Sequence, residues 1–434
     1  MSKIAFYTLG CKVNQADTAA METLFASSGY EIVPFETAAD IYLINTCVVT
    51  NMGQSKSRKM INRAIRKAPE ALIVVTGCYP QTAPEEVAAI AGVDLIIGNQ
   101  DRDKIVALVA DAWQDRRTDT RNKVHKLVQN TAFEELAGGN EADKTRAYLK
   151  IQEGCNQYCT YCIIPYARGP LRSRSLENIN SEVQQLTQHG YKEVVLIGIH
   201  LGCYGQEQPD GANLTQAVAA ALAVPSLQRL RLGSLESVEV DAGLLQLMQQ
   251  DKRLCPHLHL PLQSGSDRIL TAMHRPYDRA KFLDLVQKIR VTVPQVALTT
   301  DVIVGFPGET EEDFAATCEF VQRCGFAKMH IFPYSQRRGT PAASMTEQVE
   351  DKIKQERAEV LAELDKMLHT NYCSQQIGQE TQVLWETKTK EGLWEGLTPN
   401  YVRVYTAYTG DLSGKIVSTH LDKLYQDGLW GSII

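Results

Sequence analysis

Three cysteines stand close together in Gly154-Cys155-Asn156-Gln157-Tyr158-Cys159-Thr160-Tyr161-Cys162, a C-x3-C-x2-C triplet. Thiolates are the ligands that iron–sulfur clusters require, and three from one short loop leave one iron of a [4Fe–4S] cube without a protein ligand. Such an open corner is what a catalytic metal centre keeps for a reacting molecule. Tetrahedral zinc would want four ligands, usually in two separated pairs, and no fourth Cys or His follows nearby. A second set is dispersed: Cys11, Cys47 and Cys78 occur in FYTLGCK, YLINTCV and VVTGCYP, each just after an apolar run. One such cysteine reads as a small buried hydrophobe. Three in equivalent positions read as a shared site, because strand C-terminal ends in an open parallel sheet line one edge, where ligands bind. Glycine before Cys11 and Cys78 fits a tight turn with close backbone approach. Cys203, Cys255, Cys318, Cys324 and Cys373 match no spacing and read as structural thiols.

The elements that must position these thiols alternate along the chain. Residues 1–113 carry the buried-strand runs IAFYTL, IYLINT and LIVVTG, separated by helical stretches from Gln15 to Ser28 and from Gln54 to Lys67. This is the pattern of a doubly wound parallel sheet. Residues 114–143, with QDRRTDTRNKVHK and AGGNEADK, read as a linker. Alternation resumes over 144–370, with six strand–helix units and then a long charged helix from Gln348 to His369. Six units are too few for an eightfold barrel, so an open, partial (β/α)6 barrel is expected. Residues 371–434 hold only strand signals and turn residues, which predicts a small antiparallel β-barrel.

The 434 residues allow two to four domains at roughly 100–200 residues each. The start, MSKIAFYTLGC, lacks a secretory pattern, and no apolar run reaches the ~18 residues of a membrane span. A cytoplasmic location without membrane attachment is expected. Clustered cysteines in that compartment point to metal chemistry rather than disulfides.

A C-x3-C-x2-C loop after the first strand of such a barrel resembles the radical S-adenosylmethionine (SAM) superfamily. The series TLGC-x2-NQ, INTC and TGC, followed by GCN-x2-C-x2-C-IIPYARG, resembles the methylthiotransferases over nearly the whole chain, and the C-terminal barrel is similar to their TRAM domain. The resemblance implies two [4Fe–4S] clusters, one on Cys155, Cys159 and Cys162 with SAM on its open iron, and one on Cys11, Cys47 and Cys78. It places Tyr161 near the adenine of SAM, and makes Gly305 and Glu309 of IVGFPGET part of the SAM-binding wall. Glu236, Gln263 and Ser264 end barrel strands in polar groups, which is where barrel sites form. GIHLGCYG and IIPYARGPLRSR resemble the branch that adds methylthio to carbon 2 of threonylcarbamoyladenosine beside the anticodon of tRNA. The branches acting on isopentenyladenosine or on a ribosomal-protein aspartate are the alternatives, and a non-catalytic electron carrier or redox sensor is the rival from another class. A reducing partner such as flavodoxin or ferredoxin and a sulfur donor are implied, with a monomer as the default state.

Net charge is −6, so RNA contact must come from local patches. Lys59, Arg63 and Lys67 share one face of a basic helix that also carries Lys56, Arg58 and Arg66. Arg168, Arg172 and Arg174 follow the triplet and are candidates for phosphate contact. The last 64 residues carry five Lys/Arg against seven Asp/Glu, which argues against phosphate binding there. Trp385, Trp394, Tyr405 and Tyr408 could stack on bases or form that barrel's core.

Overall fold

The computed structural model describes residues 2–49, 51–115, 120–128, 131–138, 145–208 and 211–434. Strands β1 (Lys3–Thr8), β2 (Glu31–Val33), β3 (Ile41–Thr46), β4 (Leu72–Gly77), β5 (Leu95–Ile97) and β6 (Arg121–Lys123) make one parallel sheet in the order β2-β1-β3-β4-β5-β6. Every residue of β3 and β4 is buried. Helices cover both faces, so no position faces water and the runs are apolar throughout. Phe35, Tyr42 and Val75 pack on one side, and Ile4, Phe25 and Leu43 on the other.

Strand β6 departs from expectation. It falls in the segment read as a linker, yet pairs with β5 from Leu95↔Arg121 to Ile97↔Lys123. A parallel edge offers unpaired backbone groups that a polar segment can satisfy without apolar side chains. Residues 116–119, 129–130 and 139–144 of that region lie outside the described residues.

The central body begins with β7 (Arg146–Lys150) and the short ladder of β8 (Gln152–Glu153) with β9 (Arg172–Ser173). Strands β10 (Glu193–Ile197), β11 (Arg229–Leu232), β12 (His257–His259), β13 (Ala297–Val304) and β14 (Lys328–Pro333) follow. Two parallel sheets, β7-β10-β11 and β12-β13-β14, are joined by the parallel bridges Leu230↔Leu254 and Ser234↔His259. Six strands thus follow one another in chain order, the arrangement of a partial (β/α)6 barrel. Helix α1 (Lys12–Ser27) brings the first body onto the barrel, with Val13 packed against Val195 and Ile197. The helix Asp351–Ser374 covers the β14 edge, where Asp365 accepts from the Met329 N–H at 2.6 Å and from Lys328 Nζ at 2.6 Å.

Strands β15 (Glu380–Lys388), β16 (Trp394–Leu397), β17 (Arg403–Thr406), β18 (Ile416–Tyr425) and β19 (Gly428–Ile433) close a barrel in the order β15-β16-β17-β19-β18. Its pairings are antiparallel except β17 with β19, which is parallel and closes the ring. Trp385, Trp394 and Tyr405 are buried and build or flank the core, so of the four candidate stacking aromatics only Tyr408 is exposed. Arg229 and Arg231 dock this barrel on the central one through the carbonyls of Leu397 and Pro399, each at 3.0 Å. Among the described residues no helix is long and apolar enough to cross a membrane.

Candidate active site

The dispersed thiols meet at the C-terminal edge of the first sheet. Cys11 caps α1 in an extended conformation, Cys47 follows β3, and Cys78 opens the short helix Cys78–Thr82 after β4. Gly77 has φ 97°, and a Cβ there would lie 2.6 Å from the Thr46 carbonyl oxygen, so only glycine delivers Cys78 to that edge. A Cβ on Gly10 would lie 2.8 Å from Cys47 Sγ, which brings the first and second thiol turns together. Burial pushes the Cys47 thiol up to about 11, and its two neighbour thiols add to that. Burial also raises Cys11: its surface opens to a cavity, but protein surrounds most of it. The charged form of such a set needs a cation. Arg168 supplies it, donating Nε–H to Cys78 Sγ at 3.2 Å.

The local triplet has its own cation. Arg275 Nη1 lies 3.1 Å from Cys159 Sγ and 3.3 Å from the Tyr161 hydroxyl, and the guanidinium also pairs with Glu236. The loop is tied down by Cys155 N–H to Gly169 O at 3.0 Å and Cys162 N–H to Cys159 O at 3.0 Å. Burial pushes Cys162 up to about 12 and raises Cys159. His200 Nδ1 lies 3.5 Å from Cys155 Sγ while Nε2 pairs with Glu239 at 2.6 Å. All six thiols are free. Two sets of three thiols, all buried or half-buried except Cys11 at the cavity, each set with a guanidinium beside one sulfur, suit [4Fe–4S] clusters, whose iron would offset the burial that raises the thiols.

The other predicted residues divide. Tyr161 packs among Ile269, Met273 and Phe306 beside the loop. Gln263, with φ 67°, bridges β13 through Asp301 O and the Ile303 N–H, each at 2.8 Å. The Ser264 hydroxyl is buried and accepts from the Ser266 N–H at 3.2 Å. Glu309 turns inward, accepting from the Gly305 N–H at 3.1 Å and pairing with Arg357 at 2.7 Å. Ser264 and Glu309 therefore brace the strand-to-helix turns around the site.

Arg168, Arg172 and Arg174 are a correction. Their exposures are 0%, 5% and 3%, so they are internal and do not present guanidinium to a phosphate. Arg168 pairs with Asp17 and Glu153, each at 3.0 Å, and donates to Asn14 Oδ1. Arg172 donates to the Arg168 carbonyl at 2.8 Å; Arg174 donates to the Lys150 and Leu136 carbonyls at 2.9 and 2.7 Å. Lys150 joins Asp17 at 2.5 Å and Arg102 joins it at 3.3 Å, completing a buried ion network between the sheet and the barrel. Burial would raise the Asp17 carboxyl, but Arg102, Lys150 and Arg168 hold it well below the usual range. Of the basic helix Asn51–Lys67, Lys59 is exposed, Arg63 pairs with Glu36 at 2.8 Å, and Lys67 donates to the Phe35 carbonyl at 2.6 Å. Sequence reading missed Asp17, Arg275 and Lys12, since nothing local marks a residue whose partner is brought by folding.

A 920 Å³ cavity joins all three bodies. Cys11 and Lys12 enter from the sheet, His257, His259 and Asp301 from the central barrel, and Tyr401 from the C-terminal barrel. That volume accommodates a nucleoside-sized ligand.

Two family models match the chain: "Uncharacterized protein family UPF0004" over residues 3–98 and "Radical SAM superfamily" over residues 149–321. The threonylcarbamoyladenosine tRNA methylthiotransferase MtaB of Bacillus subtilis (strain 168) is 42% identical over 100% of this chain and 97% of its own length. The chain belongs to the radical SAM methylthiotransferases. A tRNA-2-methylthio-N(6)-dimethylallyladenosine synthase of Acetivibrio thermocellus is 34% identical, covering 98% of this chain and 90% of its own. The solved radical SAM methyltransferase TsrM of Kitasatospora setae superposes with a TM-score of 0.59 at 13% identity, over 90% of this chain and 79% of its own, which shows a shared fold. As a radical SAM methylthiotransferase the protein works with two [4Fe–4S] clusters and SAM.

Proposed function

We propose that this methylthiotransferase adds a methylthio group to carbon 2 of N6-threonylcarbamoyladenosine beside the anticodon of tRNA. The full-length identity to the Bacillus subtilis threonylcarbamoyladenosine enzyme carries this reading, and it exceeds that to the dimethylallyladenosine synthase. Cys155, Cys159 and Cys162 would hold the cluster that binds SAM, and Cys11, Cys47 and Cys78 the second cluster. Bound there, the two groups supply one-electron cleavage of SAM and an attachment point for sulfur. The chain supplies position. Arg275 steadies Cys159 and Tyr161, with Glu236 fixing the guanidinium from its other side. Arg168 steadies Cys78 and is itself held by Asp17 and Glu153. Holding two reacting groups in one pocket can lower a barrier by several kcal/mol, about 7–11 in the best intramolecular cases.

The anticodon arm meets the exposed part of the Asn51–Lys67 helix, with Lys59 as one phosphate contact and Arg63 and Lys67 joining after exchanging their present partners. The protein works in the cytoplasm as a monomer, served by a flavodoxin- or ferredoxin-type reductant and a sulfur donor. Its working units are residues 1–113, 144–370 and a TRAM-like 371–434. Mass spectrometry of tRNA nucleosides from a deletion strain tests the reading. Loss of 2-methylthio-N6-threonylcarbamoyladenosine with restoration by the intact gene is expected. An unchanged profile overturns the assignment, and loss of a methylthio-isopentenyl nucleoside instead would move it to the other tRNA branch.

A further inference from the structure

The substrate named above differs from plain adenosine by an arm on N6 that ends in the α-carboxylate and hydroxyl of threonine. An anion entering a protein cavity needs a cation that is not already neutralised. Most cations on the cavity wall are neutralised. Arg146 pairs with Glu386 at 3.0 Å, Arg231 with Glu193 at 2.8 Å and Lys328 with Asp365 at 2.6 Å, while Arg403 lies between Glu395 and Asp427 at 3.6 and 3.7 Å. Lys12 is different. It is exposed to the cavity beside Cys11, its ammonium lies 6.0 Å from the centre of the Tyr148 ring, and it forms no ion pair with any described residue.

An independent observation falls on the same wall. His257 is buried, and its Nδ1 has no hydrogen-bond partner. Nε2 lies 3.1 Å from the Thr299 hydroxyl, and the ring stacks on Tyr401 with centroids 4.8 Å apart. The Thr299 hydroxyl has one proton and also meets His259 Nδ1 at 2.9 Å, while His259 Nε2 faces Asp301 at 3.2 Å, so a neutral His257 donates from Nε2 to Thr299 and its Nδ1 is a buried acceptor with no donor. Such a group raises the free energy of the empty pocket and is satisfied by a hydroxyl of a ligand. Lys12, His257 and Tyr401 line the same cavity, so the ammonium and the imidazole serve one space.

We propose that Lys12 and His257 form the subsite for the substrate's N6 arm, Lys12 taking its carboxylate and His257 Nδ1 accepting from its hydroxyl, and that the lysine selects an adenine with an anionic arm over one with an uncharged arm. The inference rests on the substrate reading given above. It places Lys12 one residue from a thiol of the second triplet, so an arm held by this lysine brings the adenine to that thiol set.

Equilibrium binding to the intact, cluster-loaded protein tests this without turnover. The probes are anticodon stem-loop RNAs carrying threonylcarbamoyladenosine, its methyl ester, or plain adenosine. The wild type is expected to bind the free acid about ten- to a hundredfold more tightly than the ester, the range for a hydrogen-bonded charged pair. Lys12→Gln is expected to lose that preference while keeping its affinity for the ester, and Lys12→Arg to restore most of it. His257→Phe should weaken the acid and the ester alike and leave the preference between them in place. Iron content and circular dichroism of each variant show that loading and fold are kept. Equal binding of acid and ester by the wild type overturns the subsite, even if the protein methylthiolates the acid form. Equal weakening of all three RNAs in Lys12→Gln also overturns it, since the lysine would then be meeting a backbone phosphate. A wild type that leaves the threonylcarbamoyl RNA unmodified but methylthiolates another adenosine removes the substrate reading and the subsite together.

Discussion

The two thiol triplets reach similar chemistry by opposite construction. Cys155, Cys159 and Cys162 come from one loop, and their guanidinium, Arg275, belongs to the same barrel. Cys11, Cys47 and Cys78 come from three strand ends of the first sheet, and their guanidinium, Arg168, comes from the barrel across the interface. A local triplet needs only its loop to be anchored. A dispersed one needs a sheet to set three turns and a second body to supply charge.

The largest effect that separates the two is metal content. Cys155→Ala/Cys159→Ala/Cys162→Ala and Cys11→Ala/Cys47→Ala/Cys78→Ala should each retain one cluster, lowering iron from about eight to about four per chain. Methylthio transfer should fall below detection in both, and SAM cleavage should survive only in the second. Unchanged iron in either variant would break the comparison. Next comes Arg168→Leu. It leaves Asp17 and Glu153 buried with less compensation, so a loss of about 3–5 kcal/mol is expected by denaturant melts. Arg275→Leu should lower stability less, because Glu236 is its one carboxylate partner among the described residues, and should disturb the spectrum of the SAM-binding cluster alone. Equal losses in the two variants would show that the interface network is not special.

Gly77→Ala sharpens the same contrast at the backbone. Its φ of 97° and the 2.6 Å contact with the Thr46 carbonyl predict a cost of about 2–3 kcal/mol and poor loading of the dispersed site. Gly29→Ala, with φ 86° but open space around it, should cost about 1 kcal/mol and leave iron content alone.

Acid should act on the interface. Burial favours the neutral forms of Asp17 and Glu153, but the surrounding Arg and Lys side chains outweigh it and lower both carboxyls. Their folded-state values lie below the unfolded ones of 3.8 and 4.5. The stability they contribute is therefore complete above about pH 5 and is lost as pH falls through and below about 4. Thermal melts from pH 7 to pH 3 should show this decline, and Asp17→Asn should flatten it. The smallest effect is Lys59→Ala, which should weaken stem-loop binding only a few-fold and lower its salt dependence by about one unit of slope.

The thiols were legible in the sequence because cysteine is rare enough for context to stand out, and because strand-end position is written in the apolar run before it. The six barrel strands were legible for the same reason. The direction of Arg168 was not. Its carboxylate partner Asp17 lies 151 residues earlier, and only the packing of α1 on the barrel brings them together. Arg172 and Arg174 turned inward to carbonyls, which leave no mark in a sequence. Strand β6 was missed because an edge pairing needs backbone alone, and the parallel β17–β19 pairing because ring closure is a property of the whole barrel.

The guanidinium beside Cys78 is encoded 90 residues downstream of it. A ribosome that has finished only the first sheet has therefore exposed three thiols with their steadying charge still unsynthesised. Until translation passes the second triplet and the two bodies dock, metal that reaches the early thiols meets an uncompensated set. The order of the genes' codons thus favours filling that site late, after the chain has shown that its halves fit.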